Sequence, residues 1–126
     1  MAVVPYTVIP LTNGQFPTGV RVVVWEGLDT GDTATGYAAP QYAGKSVQMD
    51  AGTSTATSVT VQGTLIPTES AITPLWGTLH KVDLTDLTLT DAEPAQILED
   101  CYQVRPNVTS GTDVDVYLMV TTTSRR

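Results

Sequence analysis

Hydrophobic and polar positions alternate along several short stretches of this chain, which is the pattern of strands that bury one face. Two stretches near the C-terminal end show it most clearly. Their apolar faces are formed by Tyr102, Val104, Pro106 and Val108, and by Val114, Val116, Leu118 and Val120. Turn residues Ser110-Gly111 lie between them and predict a hairpin. Pro106 has no N–H to donate, so the first of these strands is predicted to be an edge strand or to be kinked there.

Shorter stretches with the same period precede this pair. Val47 and Met49 alternate with polar residues, as do Val59 and Val61, and residues 51–57 between them are predicted to form a hairpin loop. The segment 22–25 is apolar on both faces, which is typical of a central strand.

The stretch from Thr78 to Glu93 is the longest piece without Gly or Pro, but its leucines do not follow a helical period. We expect two strands, within Leu75–Val82 and Leu87–Leu89, joined by a turn at Asp83–Asp86. Together the pattern gives about eight or nine short strands, which predicts an all-β fold, a two-sheet antiparallel β-sandwich of jelly-roll-like type.

Residues 1–19 contain no charged side chain and three prolines, which predicts an extended N-terminal arm ahead of a sandwich domain at residues 20–126. The arm is too apolar to stay solvated. It packs either on its own domain as a first strand or on a neighbouring subunit. The candidate partner-binding residues are its large apolar side chains, Val3, Val4, Tyr6, Val8, Ile9, Leu11 and Phe16.

Composition and charge reduce the number of functions that need to be considered. A chain of 126 residues forms one domain, and its net charge of -7 argues against a nucleic-acid partner, because phosphate recognition needs clustered Lys and Arg. No apolar run approaches the ~20 residues that span a bilayer, and no positive region precedes an apolar stretch at the N-terminus. We therefore expect no membrane partner and synthesis in a cell's cytoplasm.

Catalytic candidates are few. His80 is the only histidine, so Ser–His chemistry, or Cys–His chemistry with Cys101, would have to use it, and a solvent-facing histidine is the favoured interpretation. Asp29-Thr30-Gly31 matches the triplet of aspartic proteases over three residues only. Its flanking Gly27 and Gly36 favour an exposed turn.

Acidic side chains cluster in one part of the chain and offer oxygen ligands of the kind that calcium prefers. Their spacing matches no known calcium loop, so solvated turns are favoured for Asp83, Asp86, Asp91 and Glu93. The sequence thus predicts a protein that is not an enzyme and that holds no metal or cofactor.

Aromatic side chains leave one alternative open. If exposed, they form a platform on which sugars stack, as in carbohydrate-binding sandwiches; a place in the core or at a subunit interface is the favoured interpretation. The candidates are Trp25, Tyr37, Tyr42 and Trp76.

Three parts of the chain carry a pattern of packing and turn residues: Val22-Val23-Val24-Trp25-Glu26-Gly27-Leu28-Asp29-Thr30-Gly31-Asp32, Val59 to Gln62 with Trp76, and Tyr102-Gln103-Val104-Arg105-Pro106 with the following Asn107-Val108-Thr109-Ser110-Gly111-Thr112. These segments resemble small structural proteins of tailed bacteriophages, in particular the capsid cement, or decoration, proteins. No part of those proteins corresponds to residues 3–16.

The resemblance implies a mechanical function. A cement protein lies on the outer surface of the phage head in the virion and clamps neighbouring capsomers of the major capsid protein against the pressure of the packaged DNA. A homodimer on a two-fold axis is the simplest arrangement, and a trimer is the alternative. Another virion component, such as a tail or head-to-tail connector protein, and a carbohydrate-binding module are the rival functions.

Overall fold

The computed structural model describes residues 2–9, 19–52 and 56–122. Twelve strands form in this part of the chain: β1 (Val3–Val4), β2 (Tyr6–Val8), β3 (Val20–Leu28), β4 (Thr33–Ala34), β5 (Tyr37–Ala38), β6 (Gly44–Asp50), β7 (Ser58–Thr64), β8 (Gly77–Thr78), β9 (Thr88–Leu89), β10 (Ala95–Gln96), β11 (Gln103–Ser110) and β12 (Val114–Thr121). No helix within these ranges is long and apolar enough to cross a membrane.

Two antiparallel sheets pack face to face, which confirms the predicted all-β sandwich. The first sheet has the order β10-β6-β12-β3-β2, and the second has the order β5-β11-β7-β8, with β9 also paired to β7. The chain passes from one sheet to the other repeatedly between β5 and β12, the interleaving that a jelly roll shows. A separate parallel pair joins β1 to β4.

The core lies between the sheets and follows the predicted alternation. On β12, Val114, Val116, Leu118 and Val120 are fully buried. Val47 and Met49 lie beside them on the neighbouring β6, and Val59 and Val61 line the core from β7 in the other sheet. Trp25 on β3 is also fully buried, and its indole N–H donates to the carbonyl of Thr35 over 2.8 Å. This bond satisfies the one polar atom that the ring carries into the core.

The two predicted hairpins are wrong. β11 pairs with β7 and β5, whereas β12 pairs with β3 and β6, so the turn at Gly111 joins opposite sheets. The loop between β6 and β7 also crosses from the first sheet to the second. Alternation indicates which face of a strand is buried and does not indicate its neighbour. Here the buried faces of consecutive strands pack across the core.

Pro106 lies at an open edge, as predicted. β5 pairs only with Gln103 and Val104, so the rest of β11 has β7 as its one strand neighbour among the described residues. Opposite Pro106, the N–H of Val61 donates to Leu87 and its carbonyl accepts from Leu79, so both groups point away from β11. The missing N–H of the proline therefore costs the β11–β7 ladder nothing.

The predicted pair of strands after Leu75 is present as β8 and β9, each two residues long. They are joined through a turn in which the N–H of Lys81 donates to the carbonyl of Thr85 over 2.9 Å, and Leu84 has a φ of 73°. The turn brings the backbone of His80 opposite that of Asp86.

Candidate functional site

Residues 2–9 lie on the chain's own sandwich. β1 runs parallel to β4, where the amides of Thr33 and Thr35 donate to the carbonyls of Ala2 and Val4 over 2.8 and 2.9 Å. β2 runs antiparallel to β3 at the end of the first sheet. Of the two sites considered for the arm, its own domain is therefore where this part packs.

Tyr6 anchors this segment. Its ring meets that of Tyr37 edge to face at a centroid distance of 4.9 Å, and that of Trp25 at 6.2 Å. Both partners are core residues, 5% and 0% exposed, while Tyr6 itself is half-buried. Edge-to-face aromatic pairs are worth about 0.5 to 1.5 kcal/mol beyond the area they bury. The cluster therefore ties β2 to the core.

The other predicted arm residues divide by exposure. Val4 and Ile9 are half-buried, whereas Val3 is 73% exposed and Val8 is 42% exposed. Leu11 and Phe16 lie outside the described residues. Apolar surface therefore remains on the segment after it has packed on its own domain, and its partner-binding role stays a prediction.

The outer edge of β2 presents backbone hydrogen-bonding groups. The N–H of Ile9 donates to the carbonyl of Val22 over 3.0 Å, which makes this a hydrogen-bonded position of the ladder. Positions alternate in an antiparallel pair, so the N–H and C=O groups of Tyr6 and Val8 point away from β3. Among the described residues, β2 has no strand on that side.

His80 is not a solitary surface histidine. Its ring Nδ1 contacts Glu99 Oε2, and its Nε2 lies 3.4 Å from Asp86 Oδ1. Its backbone N–H donates to Glu99 Oε1 over 2.8 Å. The sequence did not predict the pairing of His80 with either carboxylate. Glu99 is distant from His80 along the chain and comes close only through folding.

Electrostatics at this pair favour the charged forms. The hydrogen bond to Glu99 raises the pKa of His80 above 6.5, and the charges of Glu99 and Asp86 add to the shift. Burial raises the pKa of Glu99, but the hydrogen bonds from the ring and backbone of His80 outweigh it and leave that pKa below 4.5. The arrangement is an ion pair that fastens the Glu99 loop to the β8 side of the second sheet.

Cys101 is packed inside the protein. It is 9% exposed, and burial raises the pKa of its thiol, so the thiolate needed for nucleophilic attack is disfavoured. The backbone of Gly63 approaches it closely, because a Cβ at that position would lie 3.0 Å from the sulfur and 2.7 Å from Leu79. These contacts give Cys101 a packing role.

The Asp-Thr-Gly triplet lies in an exposed turn. Asp29 Oδ1 accepts the backbone N–H of Asp113 over 2.8 Å, and Asp32 accepts those of Ala2 and Asp29 over 2.9 Å each. The carboxylates therefore hold loops together and do not lie at the base of a cavity, as an aspartic protease requires.

Two side chains of the acidic cluster accept hydrogen bonds within turns. Asp83 accepts the N–H and hydroxyl of Thr85, and Asp91 accepts the N–H of Glu93 over 3.0 Å. Within residues 2–9, 19–52 and 56–122, no three His, Cys, Asp or Glu side chains are grouped closely enough to hold a metal ion.

The aromatic candidates do not share one exposed platform. Trp25 and Tyr37 are in the core. The guanidinium of Arg105 lies 4.0 Å above the ring of Trp76, and its Nε donates to Gln62 over 2.9 Å. The Arg105 side chain thus covers one face of the Trp76 ring.

Comparisons with known proteins support the fold. No protein-family model and no curated protein sequence matches the chain. The structure is similar to the crystal structure of the SPBc2 prophage-derived protein YomS, with a TM-score of 0.58 and 12% sequence identity, over 84% of this chain and 97% of that protein. The likeness shows a shared fold.

We expect Tyr6→Ala to loosen the N-terminal segment. The loss of its ring contacts should lower the free energy of unfolding by about 1 to 3 kcal/mol, less than the ~3 to 5 of a fully buried aromatic residue. The amides of Thr33 and Thr35 should exchange with deuterium faster, since their acceptors lie in β1 and just before it. Thr7→Ala, on the opposite and exposed face of the same strand, is the control, and equal effects of the two variants would contradict the role of Tyr6.

The ion pair predicts a specific pH dependence. Because the pKa of His80 is raised, its stabilisation is complete below about 6.5 and is lost as the pH rises through the folded value. Because the pKa of Glu99 is lowered, its contribution is present above about 4.5 and is lost as the pH falls through the folded value. The difference in unfolding free energy between the natural chain and Glu99→Gln should therefore be largest between these limits.

Because His80 is the only histidine, NMR can measure its pKa directly and so test the ion pair. The ring of His80 should titrate above 6.5 in the natural chain and at a lower pH in Glu99→Gln. Asp86→Asn is the matched control and should shift the titration less, since its oxygen lies farther from the ring. A titration that Glu99→Gln leaves unchanged would rule out the ion pair.

Proposed function

We propose that this chain is a structural protein of a tailed bacteriophage virion, and that it acts as a capsid cement protein without enzymatic activity. The observation that carries the proposal is its two-sheet fold, which it shares with a prophage-derived protein over nearly the whole of that protein. The segments that resemble cement proteins support the finer assignment.

In this proposal the protein lies on the outer surface of the head and holds neighbouring capsomers of the major capsid protein together. The exposed residues of its N-terminal segment, Val3 and Val8 among them, belong to its partner-binding surface. A symmetric oligomer, a dimer or else a trimer, engages more than one capsomer at once. Modest contacts then add through a high effective concentration.

Two other functions are less well supported. A tail or head-to-tail connector protein accounts equally for the likeness to a prophage-derived protein, but it is expected to assemble into a ring or tube. A carbohydrate-binding module needs exposed aromatic faces, whereas Trp25 is buried and Trp76 is stacked with Arg105. The cement function therefore remains our proposal.

Heads assembled with and without this protein provide the test. We expect heads that lack it to release DNA at a lower temperature than complete heads, because the clamps between capsomers are missing. Adding purified protein should restore the higher temperature, and DNA release is followed with a dye that fluoresces on DNA. Heads that are equally robust and take up none of the added protein would contradict the cement function.

A further inference from the structure

We infer that the outer edge of β2 is the site at which a second copy of this chain adds, strand to strand, so that two sandwiches form one continuous sheet across a two-fold axis. This deepens the proposed function, since it names the partner of the N-terminal surface. The self-complementary backbone and side-chain pattern of Tyr6, Thr7 and Val8 leads to this inference.

The backbone pattern fits an antiparallel copy of itself. Tyr6 and Val8 direct their N–H and C=O groups outward, and Thr7 directs its own toward β3. When the two-fold axis passes beside Thr7, Tyr6 of each copy lies opposite Val8 of the other. Each such pair exchanges two hydrogen bonds, so the three-residue edge forms four without a change in its own ladder.

The side chains fit the same register. Tyr6 points inward onto Trp25, and Val8 lies on the same face because it is two residues further along the strand. Tyr6 of one copy would therefore lie beside Val8 of the other, and the exposed Thr7 beside its symmetry mate. Aromatic with β-branched, and Thr with Thr, are among the favourable cross-strand pairs in sheets.

Charge and exposure make this edge the place where two copies can meet. Each chain carries a net charge of -7, so two copies repel over most of their surfaces, but residues 2–9 contain no charged side chain. Charged residues and prolines are the usual guards of sheet edges. Pro106 disfavours strand addition at the open edge of β11, whereas β2 contains neither a proline nor a charged residue.

The mass of the full chain in solution, measured over a concentration series, tests the inference. We expect a dimer whose affinity falls at least about tenfold, or 1.4 kcal/mol, in Val8→Lys, because lysine guards the edge. Met119→Lys is the matched control: its residue is 41% exposed against 42% for Val8, it adds the same charge, and it lies on β12, away from the edge. It should leave the dimer intact.

A cysteine at the proposed axis tests the register. Opposed residues at this kind of position have Cα atoms about 4.5 Å apart, which a disulfide can bridge. Thr7→Cys should therefore form a covalent dimer on mild oxidation, while Val82→Cys, which is exposed in a turn, should not. The natural Cys101 is buried and gives little background.

Two results would overturn the inference. One is a chain that is still monomeric at a concentration of about 1 mM, which means a dimer Kd weaker than that. The other is a dimer that Val8→Lys and Met119→Lys weaken equally. Failure of this inference can be distinguished from failure of the proposed function, because the dimer is measured in solution and the cement function is measured on phage heads. A monomer that decorates and stabilises heads refutes only the inference. A β2-paired dimer that ignores heads refutes only the cement function.

Discussion

The contact of Tyr6 with the rings of Trp25 and Tyr37 determines how the N-terminal segment is arranged. Trp25 is fixed in the core through its bond to Thr35, so the ring of Tyr6 meets a rigid surface. That contact sets which residues of β2 face inward and which backbone groups face outward. The open edge is therefore a direct result of aromatic packing inside the sandwich.

The division between inward and outward positions was the part of the fold that the sequence could predict. A period of two identified the buried faces of β6, β7 and β12, because successive side chains of a strand point to opposite faces and only one face meets the core. Strand neighbours were not predictable in this way. Both hairpin predictions failed because the consecutive strands lie in opposite sheets and bury their faces against one another across the core. A short turn can connect strands in opposite sheets as readily as paired strands in one sheet.

Charged residues were harder to place than apolar ones. Lys45 shares the inward face of β6 with Val47 and is 2% exposed, although lysine is rarely buried. Its ammonium donates to the carbonyl of Tyr42 over 3.2 Å and lies 3.8 Å from Asp100. Its spacing of two from Val47 was the signal that could have revealed it. The partnership of His80 with Glu99 left no such signal.

A weak edge suits the proposed function, in which many copies of the protein act together. A three-residue strand offers few hydrogen bonds, and ordering costs of about 1 to 2 kcal/mol per residue oppose any segment that must become fixed on binding. Because residues 2–9 are already held by the sandwich, that cost is largely met during folding. On the proposed capsid lattice, several modest contacts would then suffice for attachment.

The central claim is that this chain belongs to the outer surface of a phage head, and its position on the purified virion tests that claim most directly. Antibodies raised against the chain, carrying a gold label and imaged by electron microscopy, should be distributed over the head lattice. Label confined to the portal or spaced along the tail would contradict the cement function and assign the chain to another virion component.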